Sequence, residues 1–145
     1  MNKKKFCVIL GTRPEIIKLS PIIDILNKQG EDYFVIFTKQ HFSKTLSINF
    51  FKELKIKKIR YSLKIKNQSA STFINHAVKK ISEIFITENP TDVIVQGDTN
   101  TTLAGCVSVV EHNHLNDKKI KLSHVEAGLR SYDFNMPEEC NRIIV

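Results

Sequence analysis

Short apolar runs recur along this sequence at intervals filled by longer amphipathic stretches, and that alternation leaves few folds open. Phe6-Cys7-Val8-Ile9-Leu10, Tyr33 to Thr38 and Asp92-Val93-Ile94-Val95 are too short for helices and too continuously apolar for strands with one wet face. They read as strands buried on both sides. Arg60 to Leu63 and Lys121 to Val125 are weaker members of the same series. Between them lie helical patterns from Pro14 to Gln29, Ser43 to Leu54, Ser69 or Ser71 to Glu88, and Thr99 to about His112, and a further one opens at Pro137. Strand and helix alternating in this way predict an α/β fold, a Rossmann-like doubly wound parallel sheet. Within the first helix Pro14 suits the first turn, Pro21 is expected to kink or split it, and Gly30 is a plausible stop.

A chain of 145 residues accommodates one domain with one core, here residues 1–145, and buries roughly two-thirds of its unfolded surface without a staple. With 41% hydrophobic and 26% charged residues it has an ordinary globular composition. No apolar run reaches membrane-spanning length, and the basic Met1-Asn2-Lys3-Lys4-Lys5 start is followed by too short an apolar stretch for a signal peptide. Cys7, Cys106 and Cys140 are odd in number and widely spaced, which suits a reducing cytoplasm better than a disulfide framework or a zinc site. The net charge of +7 is uneven, +10 over residues 1–66 and −3 over residues 67–145. Much of the excess is the Lys52–Lys66 run. Lysines outnumber arginines 18 to 4 and no nucleic-acid motif accompanies them, so a solvated lysine-rich face is favoured over a nucleic-acid site. The last pattern, Pro137 to Val145, is apolar at its end with no cap or breaker, so the chain is expected to be the N-terminal part of something longer.

Ligands of doubly wound sheets bind beyond the carboxyl ends of the strands, where the strand order reverses. If the first strand is central, Gly11-Thr12-Arg13-Pro14-Glu15 and Gln96-Gly97-Asp98-Thr99-Asn100 flank that crevice, and Glu126-Ala127-Gly128-Leu129-Arg130 follows the fifth strand nearby. Gly11-Thr12-Arg13 precedes a helix, where free backbone N–H groups beside a guanidinium would suit a phosphate. The loop matches neither a dinucleotide fingerprint nor a P-loop. Lys18 lies one turn on, on a face that could return to the loop. Asp98 stands where it would cap the helix beginning at Thr99. Glu138 and Glu139 fall in a first helical turn, where acids favour the dipole. Three carboxylates at one cleft would repel one another, so at least one could keep its proton near neutral pH. Cys7 and Cys106 are expected as core thiols, and His112-Asn113-His114 as a solvated helix end rather than a metal site.

Gly11-Thr12-Arg13-Pro14-Glu15-Ile16-Ile17-Lys18-Leu19-Ser20-Pro21, Gln96-Gly97-Asp98-Thr99-Asn100-Thr101-Thr102, His124-Val125-Glu126-Ala127-Gly128-Leu129-Arg130 and Met136-Pro137-Glu138-Glu139-Cys140-Asn141-Arg142 together resemble the non-hydrolysing UDP-N-acetylglucosamine 2-epimerases. The resemblance spans essentially the whole chain. It implies the first of two Rossmann-like domains in a glycosyltransferase-B-like arrangement, with the active site between them and the second, UDP-binding domain absent here. The implied reaction interconverts UDP-GlcNAc and UDP-ManNAc through 2-acetamidoglucal, for cell-surface polysaccharide precursors. It implies Asp98, Glu126 and Glu138 as catalytic carboxylates. Arg13 and Lys18 would assist the phosphates or orient the acids, and Arg142 would pair with a cleft carboxylate. It implies no cofactor and no metal, a nucleotide-sugar substrate, and a homodimer at full length. Relatives acting on 2,3-diacetamido sugar acids or deoxy sugars share these motifs, so the sugar stays open, as does a non-catalytic nucleotide-sugar-binding role. Gln40-His41 matches a position near a regulatory nucleotide site in several members, but Ser43 and the Asn67 region do not keep the accompanying polar and basic residues. Cys140 replaces a usually aliphatic or small residue.

Overall fold

A computed structural model describes residues 4–40, 50–65 and 69–145. The strands are β1 (Lys5–Leu10), β2 (Asp32–Phe37), β3 (Ile59–Ser62), β4 (Asp92–Gln96) and β5 (Lys121–Val125), and the helices are α1 (Arg13–Lys28), α2 (Ala70–Glu88), α3 (Asn100–Leu115) and α4 (Pro137–Ile144). All strand pairs are parallel, in the order β3-β2-β1-β4-β5. β1 is therefore central. The order reverses between β1 and β4, which puts the Gly11 and Gly97 turns side by side.

The period-two alternation of a strand sends neighbouring residues to opposite faces. In β1, Cys7 and Ile9 face a core formed with Phe73, Ala77, Ile81 and Phe85 of α2 and Ala104 and Val109 of α3. Val8 and Leu10 face the other side, against Ile16, Leu19, Ile23 and Leu26 of α1. Each of these α1 side chains, nearly fully buried, contributes about 2 kcal/mol of transfer free energy. Helices thus cover both faces, as a continuously apolar parallel sheet requires.

Local signals explain most boundaries. Ser69 caps α2 by accepting from Thr72 N, and Asn89 ends it in the left-handed conformation at φ +49° just before Pro90. Thr99, not Asp98, caps α3 by accepting from Thr102 N at 3.2 Å. Of the kink or split expected at Pro21, the split does not occur, and α1 runs unbroken from Arg13 to Lys28. Proline removes the N–H that would bond the Ile17 carbonyl, but Ser20 Oγ donates to that carbonyl at 2.8 Å instead. The expected helix start at Ser43, with His41 and Asn67, lies outside the described residues; residues 50–53 are helical. Among the described residues no helix is long and apolar enough to cross a membrane.

Candidate active site

The turns after β1 and β4 and the first turn of α4 surround a cleft of about 520 Å³, lined by Thr12, Arg13, Pro14, Gln40, Ala70, Asp98, Thr99, Asn100, Pro137, Glu138 and Asn141. It lies beyond the carboxyl ends of β1 and β4, where the strand order reverses.

The β1–α1 turn differs from the phosphate cradle expected of it. Glu15 folds back over the turn, and its carboxylate accepts from Gly11 N at 2.9 Å, Thr12 N at 2.7 Å and Thr12 Oγ1 at 2.8 Å. Two of the backbone N–H groups of this turn, those of Gly11 and Thr12, are therefore taken by an internal carboxylate. The other carboxylate oxygen accepts from Thr99 Oγ1 at 2.7 Å and Thr102 Oγ1 at 3.3 Å, tying this turn to the β4–α3 turn. Glu15 is fully buried, and burial pushes its carboxyl up despite these donors. Glu15 flanks the crevice as the sequence predicts, but this fold-back is not among its expected roles, although Thr12-Arg13-Pro14-Glu15 carries the capping-box spacing that signals it. Gly11 itself has no room for a side chain, because a Cβ would meet the hydroxyls of Thr38 and Thr101.

Arg13 is exposed, and its guanidinium stacks 4.6 Å from the Phe50 ring. It makes no ion pair among the described residues. Lys18 crosses to the β5 turn, where its Nζ donates to Glu126 Oε2 at 2.5 Å. Gln96 Nε2 donates to the same oxygen at 2.5 Å. These donors, Lys18 foremost, outweigh burial and hold Glu126 below the usual carboxylate range, with the Arg142 charge adding to the effect. Glu126 is thus not the proton-holding carboxyl that mutual repulsion predicts. Its backbone sits at φ +65°, uncommon for a residue with a side chain and a cost the surrounding bonds must offset.

Asp98 accepts an ion pair from Arg142 of α4, whose side chain is almost fully covered. Arg142 Nε is buried with no hydrogen-bond partner among the described residues. Asn141 Nδ2 donates to the Asp98 carbonyl at 2.9 Å and to Asn100 Oδ1 at 3.1 Å, so α4 is docked onto the β4–α3 turn by consecutive residues. The two acids of the first turn of α4 part company. Glu138 is exposed at the cleft, whereas Glu139 is buried and accepts from Ser131 N at 2.9 Å and Arg130 Nε at 2.6 Å. Led by the Ser131 bond, these hold the Glu139 carboxyl low. The rim therefore brings Arg13, Asp98 and Glu138 to the cleft surface. Lys18, Glu126 and Arg142 form the charged layer beside it.

A family model described as UDP-N-acetylglucosamine 2-epimerase matches residues 24–145. The UDP-N-acetylglucosamine 2-epimerase of Methanocaldococcus jannaschii is 45% identical over 140 residues, covering 97% of this chain and 37% of the relative. A crystal structure of a UDP-GlcNAc 2-epimerase from the same organism in complex with UDP-GlcNAc and UDP superposes with a TM-score of 0.88 at 44% identity, covering 97% of this chain and 37% of that one. The UDP-2,3-diacetamido-2,3-dideoxy-D-glucuronate 2-epimerase of Pseudomonas aeruginosa is 36% identical over 141 residues, covering 97% of this chain and 38% of the relative. The chain spans a little over a third of the length of these relatives.

Proposed function

The chain belongs to the UDP-N-acetylglucosamine 2-epimerase family, and from that premise we propose that it supplies half of a cleft in which UDP-GlcNAc and UDP-ManNAc are interconverted without hydrolysis. The observation that carries this reading is the rim itself. Two carboxylates from different elements, Asp98 and Glu138, face one cleft together with Arg13, which makes no ion pair among the described residues.

The chemistry asks for that set. C2 of the sugar has no adjacent carbonyl, so its hydrogen is a poor acid until UDP departs from C1. A base takes the C2 proton, the C–H electron pair becomes the C1–C2 double bond, and the C1–O bond breaks with its electrons leaving on UDP. Re-addition reverses these steps with the proton delivered to the opposite face of C2. Inversion at one carbon therefore needs acid–base groups on two sides, and Asp98 and Glu138 approach from the β4–α3 turn and from α4. Arg13 is the cation free to stabilise the developing diphosphate charge. Lys18 orients Glu126 and keeps it ionised, which unsuits Glu126 to donating a proton. The greater identity to the M. jannaschii relative favours UDP-GlcNAc as the sugar nucleotide over the diacetamido acid.

The test is incubation of the product of the full reading frame with UDP-GlcNAc in D2O. UDP-ManNAc should form, with deuterium at C2 of both sugars. Asp98→Asn and Glu138→Gln should each lower the rate by 10²–10⁴-fold, the usual contribution of a positioned acid or base. Turnover of UDP-2,3-diacetamido sugar acid but not UDP-GlcNAc would move the assignment to that substrate. Full activity in both variants would remove the site assignment.

A further inference from the structure

The motif His124-Val125-Glu126 places a histidine two residues before a candidate carboxylate, yet the reaction above gives it no task. It is not among the residues lining the cleft, and its Nε2 lies 2.6 Å from the Gly97 carbonyl oxygen of the neighbouring turn. A carbonyl only accepts, so this contact requires the proton on Nε2. That oxygen belongs to the peptide unit joining Gly97 to Asp98. The next unit, which carries the Asp98 carbonyl, is held by Asn141 Nδ2 at 2.9 Å. Both peptide planes flanking Asp98 are therefore pinned, one from β5 and one from α4. Peptide planes are rigid, so fixing the two fixes φ and ψ of Asp98 and hence the direction of its Cα–Cβ bond. The turn needs this help. Gly97 sits at φ +74°, and apart from Gly97 N donating to the Val125 carbonyl at 3.0 Å, a glycine there has no side chain to hold it.

Building on the epimerase reading, we infer that His124 is a positioning residue that, through the Gly97 carbonyl, aims the Asp98 carboxylate at the sugar. It touches no substrate. Its loss should misplace a reacting group without removing a binding contact, and misplacements of about 1 Å cost about 10²-fold in rate.

Three measurements on the product of the full reading frame test this. Long-range 1H–15N spectra at pH 8 should show the His124 ring protonated on Nε2 with Nδ1 bare. His124→Phe should fold with a melting temperature close to that of the wild type and lower kcat by about 10²-fold, with KM for the sugar nucleotide within about twofold. His124→Gln, whose amide nitrogen reaches the position of Nε2, should recover kcat to within about fivefold of the wild type. A neutral ring with its proton on Nδ1 and Nε2 bare would overturn the proposal. So would a His124→Phe kcat within threefold of the wild type, or equal losses in the Phe and Gln variants. If the wild type fails to epimerise, the functional reading falls on its own, and the ring spectrum still decides whether His124 braces the Asp98 turn.

Discussion

Glu88 offers the sharpest quantitative test of how this sheet is held at the edge remote from the cleft. It is the last residue of α2, and its carboxylate gathers Lys5 Nζ at 2.6 Å, Tyr61 Oη at 2.5 Å and Arg60 Nη1 at 2.8 and 3.0 Å. One side chain therefore clasps β1, β3 and α2. Burial pulls its carboxyl up, but the three donors together outweigh burial and hold it down at about 2 against an ordinary 4.5. That difference corresponds to about 3 kcal/mol between the protonation states. Arg60 is half exposed, so solvent screening brings the expected contribution to about 2 kcal/mol. The sign follows from the depressed folded-state value. The stabilisation is complete above pH 4.5, where the unfolded carboxyl is also ionised, and is lost as pH falls from there through 2. Glu88→Gln should therefore lower the urea-unfolding free energy of the chain by about 2 kcal/mol at pH 7, by about half that at pH 3, and by little at pH 2. A wild-type-minus-variant difference that stays constant from pH 7 to pH 2.5 would refute the reasoning. A difference under about 0.5 kcal/mol at pH 7 would do so as well, because it would make the clasp a solvated surface pair.

Two further outcomes follow from the cleft. Gly11→Ala should cost about 1–3 kcal/mol in thermal or urea unfolding, because its Cβ collides with the bonded hydroxyl pair of Thr38 and Thr101; an unchanged melting temperature would show that the turn can open. Lys18→Met removes the strongest influence holding Glu126 ionised, so the acid limb of the pH–rate profile should move to higher pH. A limb that stays in place while the rate falls would assign Lys18 to the substrate instead.

What the sequence disclosed divides along a physical line between local and non-local causes. β1, β2 and β4 are legible because strands buried on both faces must be apolar along their interior, and the composition of five or six neighbouring residues carries that requirement. The position of the cleft is legible for a related reason. Polar residues directly after buried strands have no core role, and sheet topology sends those strand ends to one edge. Pro21 does not split α1 because a neighbour replaces the lost donor, Ser20 Oγ bonding the Ile17 carbonyl. Asp98 as a helix cap misled because Thr99, one residue later, competes for the same N–H groups and wins.

The resemblance implies that Arg142 pairs with a cleft carboxylate, as it does, but which acid each cation takes is not legible in the sequence, and that choice changes what each charge can do. Lys18 and Glu126 lie 108 residues apart, and Arg142 and Asp98 lie 44 apart. Nothing local in either partner selects the other, since any of the site's cations could neutralise any of its acids. The selection comes from β1 lying beside β4, and β4 beside β5, which together decide which turns touch. Once those turns touch, Glu15 takes the backbone N–H groups of Gly11 and Thr12, and Lys18 and Arg142 are committed to carboxylates. Arg13, stacked on Phe50, is then the site's only unpaired cation among the described residues. The electrostatic logic of the cleft thus runs by elimination. Lys18 and Arg142 are held by carboxylates of the same site, which leaves the Arg13 guanidinium, among the described residues, as the cation open to an anion entering the cleft.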